Sequence, residues 1–209
     1  MEFLESIKKA KEQSKKRKFS QTWDLSVSLR GIDLKKPENK LNLEFNLPEG
    51  LGKTPKTVFI VDALFAEANG KCDLVITKDQ LDKIGADKKR LKNITKEYDS
   101  WFAEAPLMPL IGKTLGTVLG PRGKMPKPIP PKGKIDPFIE MSKRMIKIRL
   151  KDSPVIHVSV GTEEMNEEQI AKNVSAVINF VKEKLPKGRS NIKNASIKLT
   201  MGHPVKLNI

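Results

Sequence analysis

The sequence predicts an α/β fold in two domains, one built from both ends of the chain and the other inserted between them. Two observations predict this arrangement. Segments that alternate apolar and polar residues occur near both ends of the 209-residue chain, and they are typical of strands in a sheet with one open face. Between these ends lie short, continuously apolar runs separated by helical segments, which indicate parallel strands covered on both faces.

The amino-terminal part of the chain predicts one helix and two half-buried strands. The helix is expected over Met1–Ser14. Apolar residues then alternate with polar ones over Trp23–Leu29 and again over Leu41–Leu47. The connection between these strands, Arg30–Lys40, contains a glycine and a proline, and we expect the two strands to pair with each other in antiparallel fashion.

The middle of the chain predicts the inserted domain. Its expected elements are, in order, a strand at Thr57–Val61 (TVFIV), a helix at Ala63–Asn69 ended by Gly70, a strand at Leu74–Thr77 (LVIT), a charged helix at Lys78–Lys96 broken near Gly85, and a strand at Tyr98–Ala103. Strands that alternate with helices indicate an α/β unit. We therefore place the inserted domain at residues 62–153 and the terminal domain at residues 1–61 and 154–209.

The carboxy-terminal part returns to the half-buried pattern. A strand is expected around Ile156–Val160. Asn166 is expected to cap a helix, with Gln169 three residues later completing a capping box, and apolar residues follow at helical spacing. A last strand is expected at Ala195–Thr200, and a weaker alternation continues over Val205–Ile209.

The charge balance predicts an anionic partner. The chain has 40 Lys and Arg residues against 25 Asp and Glu, a net charge of +15 that favours nucleic acid. Lys8–Lys18 contains seven basic residues and one acid, and Lys182–Ile209 contains the same numbers, so each segment carries +6. If the two ends share a domain, these clusters give it +12, and its binding to nucleic acid would depend strongly on salt.

Nucleotide-hydrolysing enzymes are disfavoured by spacing. A phosphate loop needs GxxxxGK[ST], because its backbone N–H groups and its lysine surround the phosphates. The two Gly-Lys-Thr triplets, at 52–54 and 112–114, have Leu47 and Leu107 where the first glycine is needed. The two histidines, His157 and His203, have no convincing nucleophile and carboxylate partners in the pattern, so no catalytic residue and no cofactor are expected.

Cysteine content and hydropathy bound the setting of the protein. Cys72 is the only cysteine, which excludes an intramolecular disulfide and a cysteine-cluster metal site. No signal peptide is expected, and no apolar run approaches the roughly 18 residues of a membrane span. We therefore expect a cytoplasmic protein with no membrane partner.

Several groups near the basic clusters suit the recognition of folded RNA. Phe19 could stack on a base or contact a sugar, Thr22, Ser196 and Thr200 would lie on open strand faces, and Gly202 would permit close backbone approach. Packing inside the protein is the alternative for Phe19 and Met201, and the residues alone leave it open.

One long stretch resembles a known family. Leu110–Pro128 reads LIGKTLGTVLGPRGKMPKP and resembles the signature of the ribosomal protein L-one family. Four further stretches agree with that family: RKFSQTWDL (Arg17–Leu25), KPENK (Lys36–Lys40), LPEGLGK (Leu47–Lys53) and KLTMGHPVKL (Lys198–Leu207). The KMPKP wording and the brief amino-terminal segment are more similar to archaeal than to bacterial members.

The resemblance implies a discontinuous terminal α/β sandwich domain with an inserted Rossmann-like three-layer α/β domain. It implies a structural protein of the large ribosomal subunit that binds the stalk region of the rRNA among other ribosomal components, aids release of deacylated tRNA from the exit site, and represses translation of its own mRNA. Carried over by motif, the RNA-binding residues are Lys18, Phe19, Thr22, Thr200, Met201 and Gly202, with Ser196, Lys198 and His157 as neighbours.

The signature stretch itself is expected to be chiefly architectural. Gly112, Gly116 and Gly120 recur every four residues, so a helix there would present a smooth glycine face to a close neighbour, and Gly120-Pro121 would end that helix. Arg122, Lys124 and Lys127 are expected to be secondary RNA contacts. Two other functions stay open at this point: an RNA-processing or nucleotide-dependent enzyme, and a basic chaperone that binds all RNAs alike.

Overall fold

The chain folds into two compact units. The computed structural model describes residues 3–34, 39–62, 64–68, 70–131, 133–151 and 153–208. Residues 1–53 and 143–209 form a terminal unit, and residues 54–142 form an inserted unit. Both units mix helices with sheets, which confirms the predicted two-domain α/β class.

The helices and strands are named here in chain order. Those of the terminal unit are α1 (Leu4–Glu12), β1 (Thr22–Leu29), β2 (Leu41–Asn46), β7 (Met145–Leu150), β8 (Val155–Thr162), α8 (Glu167–Lys184), β9 (Ile192–Leu199) and β10 (Val205–Leu207). Those of the inserted unit are β3 (Thr57–Ile60), α2 (Phe65–Ala68), β4 (Leu74–Ile76), α3 (Lys78–Ala86), α4 (Lys88–Glu97), β5 (Ser100–Glu104), α5 (Met108–Thr114), α6 (Gly116–Arg122), β6 (Lys127–Ile129) and α7 (Asp136–Arg144), whose last residues enter the terminal unit.

The terminal unit is built around an antiparallel sheet in the order β10-β9-β1-β8. Alternate residues of β1, namely Trp23, Leu25, Val27 and Leu29, are buried in one core with apolar residues of α1 and α8. Because side chains alternate across a strand, the residues between them lie on the opposite face. Both helices therefore cover one face of the sheet, and the other face is left open.

A second, two-stranded sheet completes this core. β2 pairs antiparallel with β7, and its Phe45 ring packs 4.6 Å from the Phe180 ring of α8. The predicted pairing of β1 with β2 is wrong. β1 already has β8 and β9 on its two edges, so β2 takes its partner from MIKIRL (residues 145–150), a strand that the sequence reading did not identify.

The inserted unit holds a parallel sheet in the order β4-β3-β5-β6. Val58 and Ile60 face a core formed with α3 to α6, whereas Phe59 and Val61 face a core formed with α2 and α7. Every residue of β3 and β5 is buried, and burial on both faces is why β3 (TVFI) reads as a nearly continuous apolar run. The unit is a three-layer α/β structure.

The boundaries of the units differ from those predicted. β3 pairs with β4 and β5, so it belongs to the inserted unit and not to the terminal one. β7 pairs with β2 and belongs to the terminal unit. The crossings therefore lie at residues 53/54 and 142/143, rather than at 61/62 and 153/154. In the helix predicted over Ala63–Asn69, α2 covers Phe65–Ala68, and the two end residues lie outside the described residues.

β6 forms one edge of the parallel sheet and is rich in proline. It pairs with β5 through its inner side, in the register Ala103 to Pro128. Pro126 and Pro130 flank it at alternate positions. Proline has no N–H to donate, so it is tolerated at an edge strand and not within a central one.

Candidate nucleic-acid interface

The open face of the terminal sheet carries polar side chains in register across four strands. Lys206 of β10 lies opposite Ser196 of β9, Ser196 opposite Ser26 of β1, and Ser26 opposite His157 of β8. A row of hydroxyl, imidazole and ammonium groups thus crosses the sheet. Such groups can donate to phosphate oxygens and to 2′-hydroxyls.

A second row lies nearer the start of β1. Lys198 is the cross-strand partner of Asp24, and Asp24 accepts a hydrogen bond of 3.1 Å from the hydroxyl of Ser159. The Lys198 ammonium also donates to the carbonyl oxygen of Thr200 at 3.4 Å. These residues form the open face because each alternates with a buried apolar residue of its strand.

The turn after β9 is fastened to the start of β1 through Thr200. The Thr200 hydroxyl accepts from the backbone N–H of Thr22 at 3.0 Å and donates to its carbonyl at 3.2 Å, and the Thr200 N–H donates to the same carbonyl at 3.0 Å. The side chain thereby extends the strand ladder by one residue. Met201 follows with 60% of its surface exposed, so the turn presents an apolar side chain to solvent.

Gln21 holds this region together, and the sequence reading missed it. Its fully buried side chain accepts from the N–H of Met201 at 3.2 Å and donates to the carbonyl of Lys15 at 3.4 Å and to the Glu163 carboxylate at 3.4 Å. One amide therefore joins the end of the basic run, the β8–α8 connection and the β9–β10 turn. No local pattern marks such a residue, because its three partners are far apart in the chain.

Gly202 lies where the turn approaches the segment after α1. A Cβ at this position would lie 3.3 Å from the Ser14 hydroxyl oxygen and 3.3 Å from the Leu199 Cβ. These separations are tighter than ordinary contacts, so a larger residue would require the neighbouring atoms to shift by a few tenths of an ångström. The close approach seen here is to the protein itself, and the expected approach of RNA to the Gly202 backbone stays a prediction.

The residues before β1 present an aromatic side chain within a basic run. Phe19 is 51% exposed, and Lys18 beside it is exposed. Both line a groove of about 350 Å³, which is also lined by Glu163 and Glu164. Neither Phe19 nor Met201 lies in the core, so the packing alternative for these two side chains is wrong.

The nine residues assigned to the main site all belong to the terminal unit. Thr22, Thr200, Met201 and Gly202 meet at one end of the open face. Ser196, Lys198 and His157 lie on that face, and the backbone of Lys18 and Phe19 leads into it. The structure therefore arranges residues from three distant segments of the sequence around one surface.

The three residues of the signature stretch that were expected to contact RNA, namely Arg122, Lys124 and Lys127, lie in the inserted unit, and the side chains of Arg122 and Lys124 donate to carbonyl groups of α4 and of the residue after it. The Lys124 ammonium donates to the carbonyls of Thr95 and Tyr98 at 2.9 and 2.7 Å, at the end of α4, and contacts the Asp99 carboxylate at 3.5 Å. Arg122 donates to the carbonyl of Lys92 at 3.1 Å. A cation at a helix carboxy-terminus satisfies carbonyls that have no partner in the helix.

This arrangement corrects the expectation for Lys124, whose donors are directed to its own unit. Lys127 is half-buried in β6. The predicted glycine face is also wrong, since a Cβ on Gly112 or Gly120 would have no neighbour within 4 Å. The helix is broken at Leu115 and runs through Pro121, and it ends at Gly123, whose φ of 63° is left-handed.

The close approach occurs instead at Gly85 of α3. A Cβ there would lie 3.1 Å from the Thr114 Cβ of α5. The sequence predicted that one helix would be broken near Gly85, and the observed break lies two residues later, at Asp87. The Asp87 side chain begins α4 by accepting from the N–H groups of Lys89 and Arg90.

At the usual ligand position of the parallel sheet, two backbone N–H groups are already bound by a carboxylate of the protein. In open α/β sheets ligands bind beyond the carboxyl ends of the strands where the strand order reverses, here between β3 and β5. The buried Glu104 carboxylate accepts from the N–H groups of Asp62 and Leu64 at 3.0 and 2.8 Å. These N–H groups, which could otherwise hold a phosphate, are thus engaged.

Two further properties bear on chemistry. Burial, with a smaller effect from Asp73, raises the pKa of the Cys72 thiol to about 11, so the thiol is protonated at neutral pH and is a poor nucleophile. Among the helices in the described parts of the chain, none combines the length and apolarity that crossing a bilayer requires.

Comparison with known proteins gives one consistent result. Residues 8–203 match the model of the Ribosomal protein L1p/L10e family. The chain is 42% identical to the "Large ribosomal subunit protein uL1" of Methanothermobacter thermautotrophicus, over 99% of this chain and 98% of that protein. Proteins of the same name from Pyrococcus horikoshii and Methanocella arvoryzae are each 44% identical, over 98% and 99% of this chain and 94% and 98% of theirs.

Proposed function

Because the chain belongs to the Ribosomal protein L1p/L10e family, whose members are structural ribosomal proteins and not enzymes, we propose that it joins the large ribosomal subunit by binding the stalk region of the rRNA. The open face of the terminal sheet and the turn at Thr200–Gly202 form the binding surface. The observation that supports this most directly is a polar sheet face left uncovered beside two exposed side chains, Phe19 and Met201.

The chemistry of the surface fits a folded RNA. Lys18, Lys198 and Lys206 supply charge for phosphate contacts, which give affinity without sequence preference. Hydroxyl groups such as those of Ser26 and Ser196 can bond to 2′-hydroxyls, and Phe19 offers a face for stacking. The strand ladders and the Gln21 network hold these groups in place before the RNA arrives, so little ordering entropy is lost on binding.

Two finer roles rest on the same surface and on the family resemblance. An mRNA segment that mimics the stalk site would compete for it, which would let the protein repress its own translation in the cytoplasm. Movement of deacylated tRNA at the exit site would follow from its place on the stalk. The tRNA role requires the stalk complex, whereas repression requires only that the same surface bind the mRNA mimic.

The deciding experiment is a competition at fixed salt. Labelled stalk-region rRNA is bound to the protein and challenged with unlabelled stalk rRNA or with bulk RNA of equal length. We expect specific RNA to compete at least about a thousandfold better, as is typical of specific nucleic-acid complexes. Equal competition would instead indicate a non-specific basic chaperone and would overturn the proposal.

A matched pair of double variants tests the site. T200A/M201A changes the turn of the terminal unit, and T117A/M125A changes the same residue types at exposed positions of the inserted unit. The first is expected to lose at least tenfold in affinity for stalk rRNA, and the second less than twofold. The single variant Met201→Ala keeps the Thr200 hydrogen bonds, so a loss there reports RNA contact rather than a distorted turn.

A further inference from the structure

We propose that the protein holds the same RNA at a second place, a cleft at the far end of the open sheet that grips the phosphate backbone with Arg30, Arg189 and Lys193. This inference rests on the proposed RNA-binding function and adds a site to it. The cleft has a volume of about 840 Å³, and its polar lining includes these three cations with Ser190, Asn194 and Asn208. None of its described lining residues is acidic.

The cleft and the Thr200 turn lie at opposite ends of the same two strands. β1 runs from Thr22 to Leu29, and β9 runs antiparallel to it from Ile192 to Leu199. Thr22 and Thr200 are therefore at one end, whereas Arg30 and Lys193 are at the other. Eight residues of strand, at about 3.3 Å each, separate the two ends by about 25 Å.

A β-bulge aims Lys193 at the cleft. The register of β1 and β9 shifts between Ser28, which faces Asn194, and Leu29, which faces Ile192, so Lys193 has no partner of its own in β1. Lys193 and Asn194 are consequently both exposed, although neighbouring residues of a regular strand point to opposite faces. The bulge adds a cation beside the polar residues of the open face.

Arg30 is held in position by a buried turn. Its Nε donates to the carbonyl of Ser190 at 3.0 Å, and its backbone N–H donates to the carbonyl of Asn191 at 2.7 Å. The buried Asn191 side chain donates to the Arg30 carbonyl at 3.0 Å and accepts from the N–H of Lys187 at 2.7 Å. One donor of the guanidinium is thus used for support, and the planar group keeps further N–H donors of the kind that bind phosphate.

The cations of the cleft have no ion-pair partner among the described residues. Other exposed lysines of the terminal unit, such as Lys11 and Lys172, have carboxylate partners at 3.0 and 3.1 Å. No ion pair involves Arg30, Arg189 or Lys193 within the part of the chain that the structure describes. Three cations that line one cleft attract an anion, and a polynucleotide can reach both this cleft and the Thr200 turn, whereas free phosphate occupies only one of them.

The test compares two triple variants that remove the same charge. R30Q/R189Q/K193Q empties the cleft of cations, and K40Q/K53Q/K184Q removes three exposed lysines elsewhere on the terminal unit. For stalk rRNA we expect the cleft variant to bind at least tenfold more weakly at 0.15 M salt. The slope of log affinity against log salt concentration should be smaller in magnitude by about 2 to 3, because each lost phosphate contact reduces that slope by about 0.7 to 0.9.

Further variants and measurements distinguish a loss of charge from a loss of folding, and the proposed cleft from the proposed function. R30K/R189K keeps the charge and should retain most of the affinity. Hydroxyl-radical footprinting of the RNA should lose protection in one segment with the cleft variant and in a different segment with T200A/M201A. Equal affinities and slopes for the two triple variants would overturn the cleft, even if wild-type protein still prefers stalk rRNA. If wild-type protein binds stalk rRNA and bulk RNA equally well, the proposed function is overturned. The cleft would still be supported if R30Q/R189Q/K193Q bound RNA more weakly than K40Q/K53Q/K184Q.

Discussion

The two four-stranded sheets of this protein use their faces in opposite ways. The parallel sheet of the inserted unit is covered by helices on both faces, and Glu104 binds two N–H groups at its usual ligand position. The antiparallel sheet of the terminal unit has helices on one face only, and polar side chains stand in register on the other. Both faces of the first sheet are therefore covered by the protein's own helices, whereas one face of the second sheet is available to a partner.

Charge follows the same division. The terminal unit has 25 Lys and Arg residues against 14 Asp and Glu, a net charge of +11, and the inserted unit has 15 against 11, a net charge of +4. In the basic stretch of the inserted unit, the Lys124 ammonium donates to carbonyl groups at the end of α4. A basic motif therefore indicates a binding surface only when its cations keep N–H donors that the protein does not use itself; the Lys124 ammonium has three partners within its own unit.

The largest expected effect comes from the closed sheet. Phe59→Ala removes a fully buried ring that stacks on Phe102 at 4.9 Å, and it should lower the free energy of unfolding of the inserted unit by about 3 to 5 kcal/mol. The two tryptophans make this measurable, because Trp23 lies in the terminal unit and Trp101 in the inserted one. Denaturation of a Trp23→Phe background, followed by Trp101 fluorescence, reports the inserted unit.

The matched change on the open sheet should have the opposite profile. Ser196→Ala is expected to alter stability by no more than about 0.5 kcal/mol, since it is a surface substitution, while weakening the binding of stalk rRNA. A large stability loss from Ser196→Ala would show that the face is structural, and the contrast between the sheets would then fail.

The Gln21 network is expected to give the next largest effect. Gln21→Leu leaves the Met201 N–H without its acceptor and removes the donors to Lys15 and Glu163, so the terminal unit should lose about 2 to 3 kcal/mol. Stalk-RNA affinity should fall about tenfold, because the turn is no longer fixed. Trp23 fluorescence and RNA titration measure the two effects.

A charged replacement at the same position distinguishes the network from simple packing. Gln21→Glu keeps an acceptor for Met201 but puts a new carboxyl group beside Glu163, and repulsion between two carboxylates should raise the pKa of the new group. A raised folded-state pKa means that the stability deficit is largest when the group is ionised and shrinks as the pH falls through that pKa, so the variant should be closer to the wild type at about pH 5 than at about pH 7. The same stability deficit at both pH values would contradict the assigned contact.

Lys124→Met tests the architectural role of the signature stretch. It removes charged hydrogen bonds to two carbonyls at the end of α4, so the inserted unit should lose about 2 kcal/mol. The affinity for isolated stalk rRNA should stay within about twofold of the wild type. An unchanged stability together with a large loss of RNA binding would restore Lys124 as an RNA contact.

Cys72 gives the smallest expected effect. With its pKa raised to about 11, the folded protein should react with iodoacetamide at pH 8 at least about a hundredfold more slowly than the urea-unfolded chain, because only the thiolate attacks. The reaction of the folded protein should accelerate between about pH 9 and pH 11. Equal rates for folded and unfolded protein at pH 8 would show that the thiol is not shielded.

Sequence patterns predicted the elements better than their partners. Alternation located β1, β8 and β9, and continuous apolar runs located β3 and β4, because each pattern records how many faces of a strand are buried. The partner of β2 could not be predicted, because the whole inserted unit lies between β2 and β7 in the sequence. β6 was missed because prolines usually indicate a loop.

The candidate site shows the same limit. Motif resemblance located Thr200, Met201 and Gly202, and the alternation placed Ser196 on an open face. Gln21 could not be found, because its role depends on atoms supplied by three other segments. Lys124 looked like a contact for RNA, since only the tertiary structure brings the end of α4 to its ammonium.

The prolines of the KMPKPIP stretch have a consequence for contacts between separate molecules of this protein. An exposed edge of a parallel sheet can recruit a strand from another molecule, which is a common route to aggregation. Pro128 within β6 and its neighbours Pro126 and Pro130 deny that edge a regular series of N–H donors. The part of the sequence that most strongly marks the family thus also leaves this edge with fewer N–H donors for a strand of another molecule to pair with.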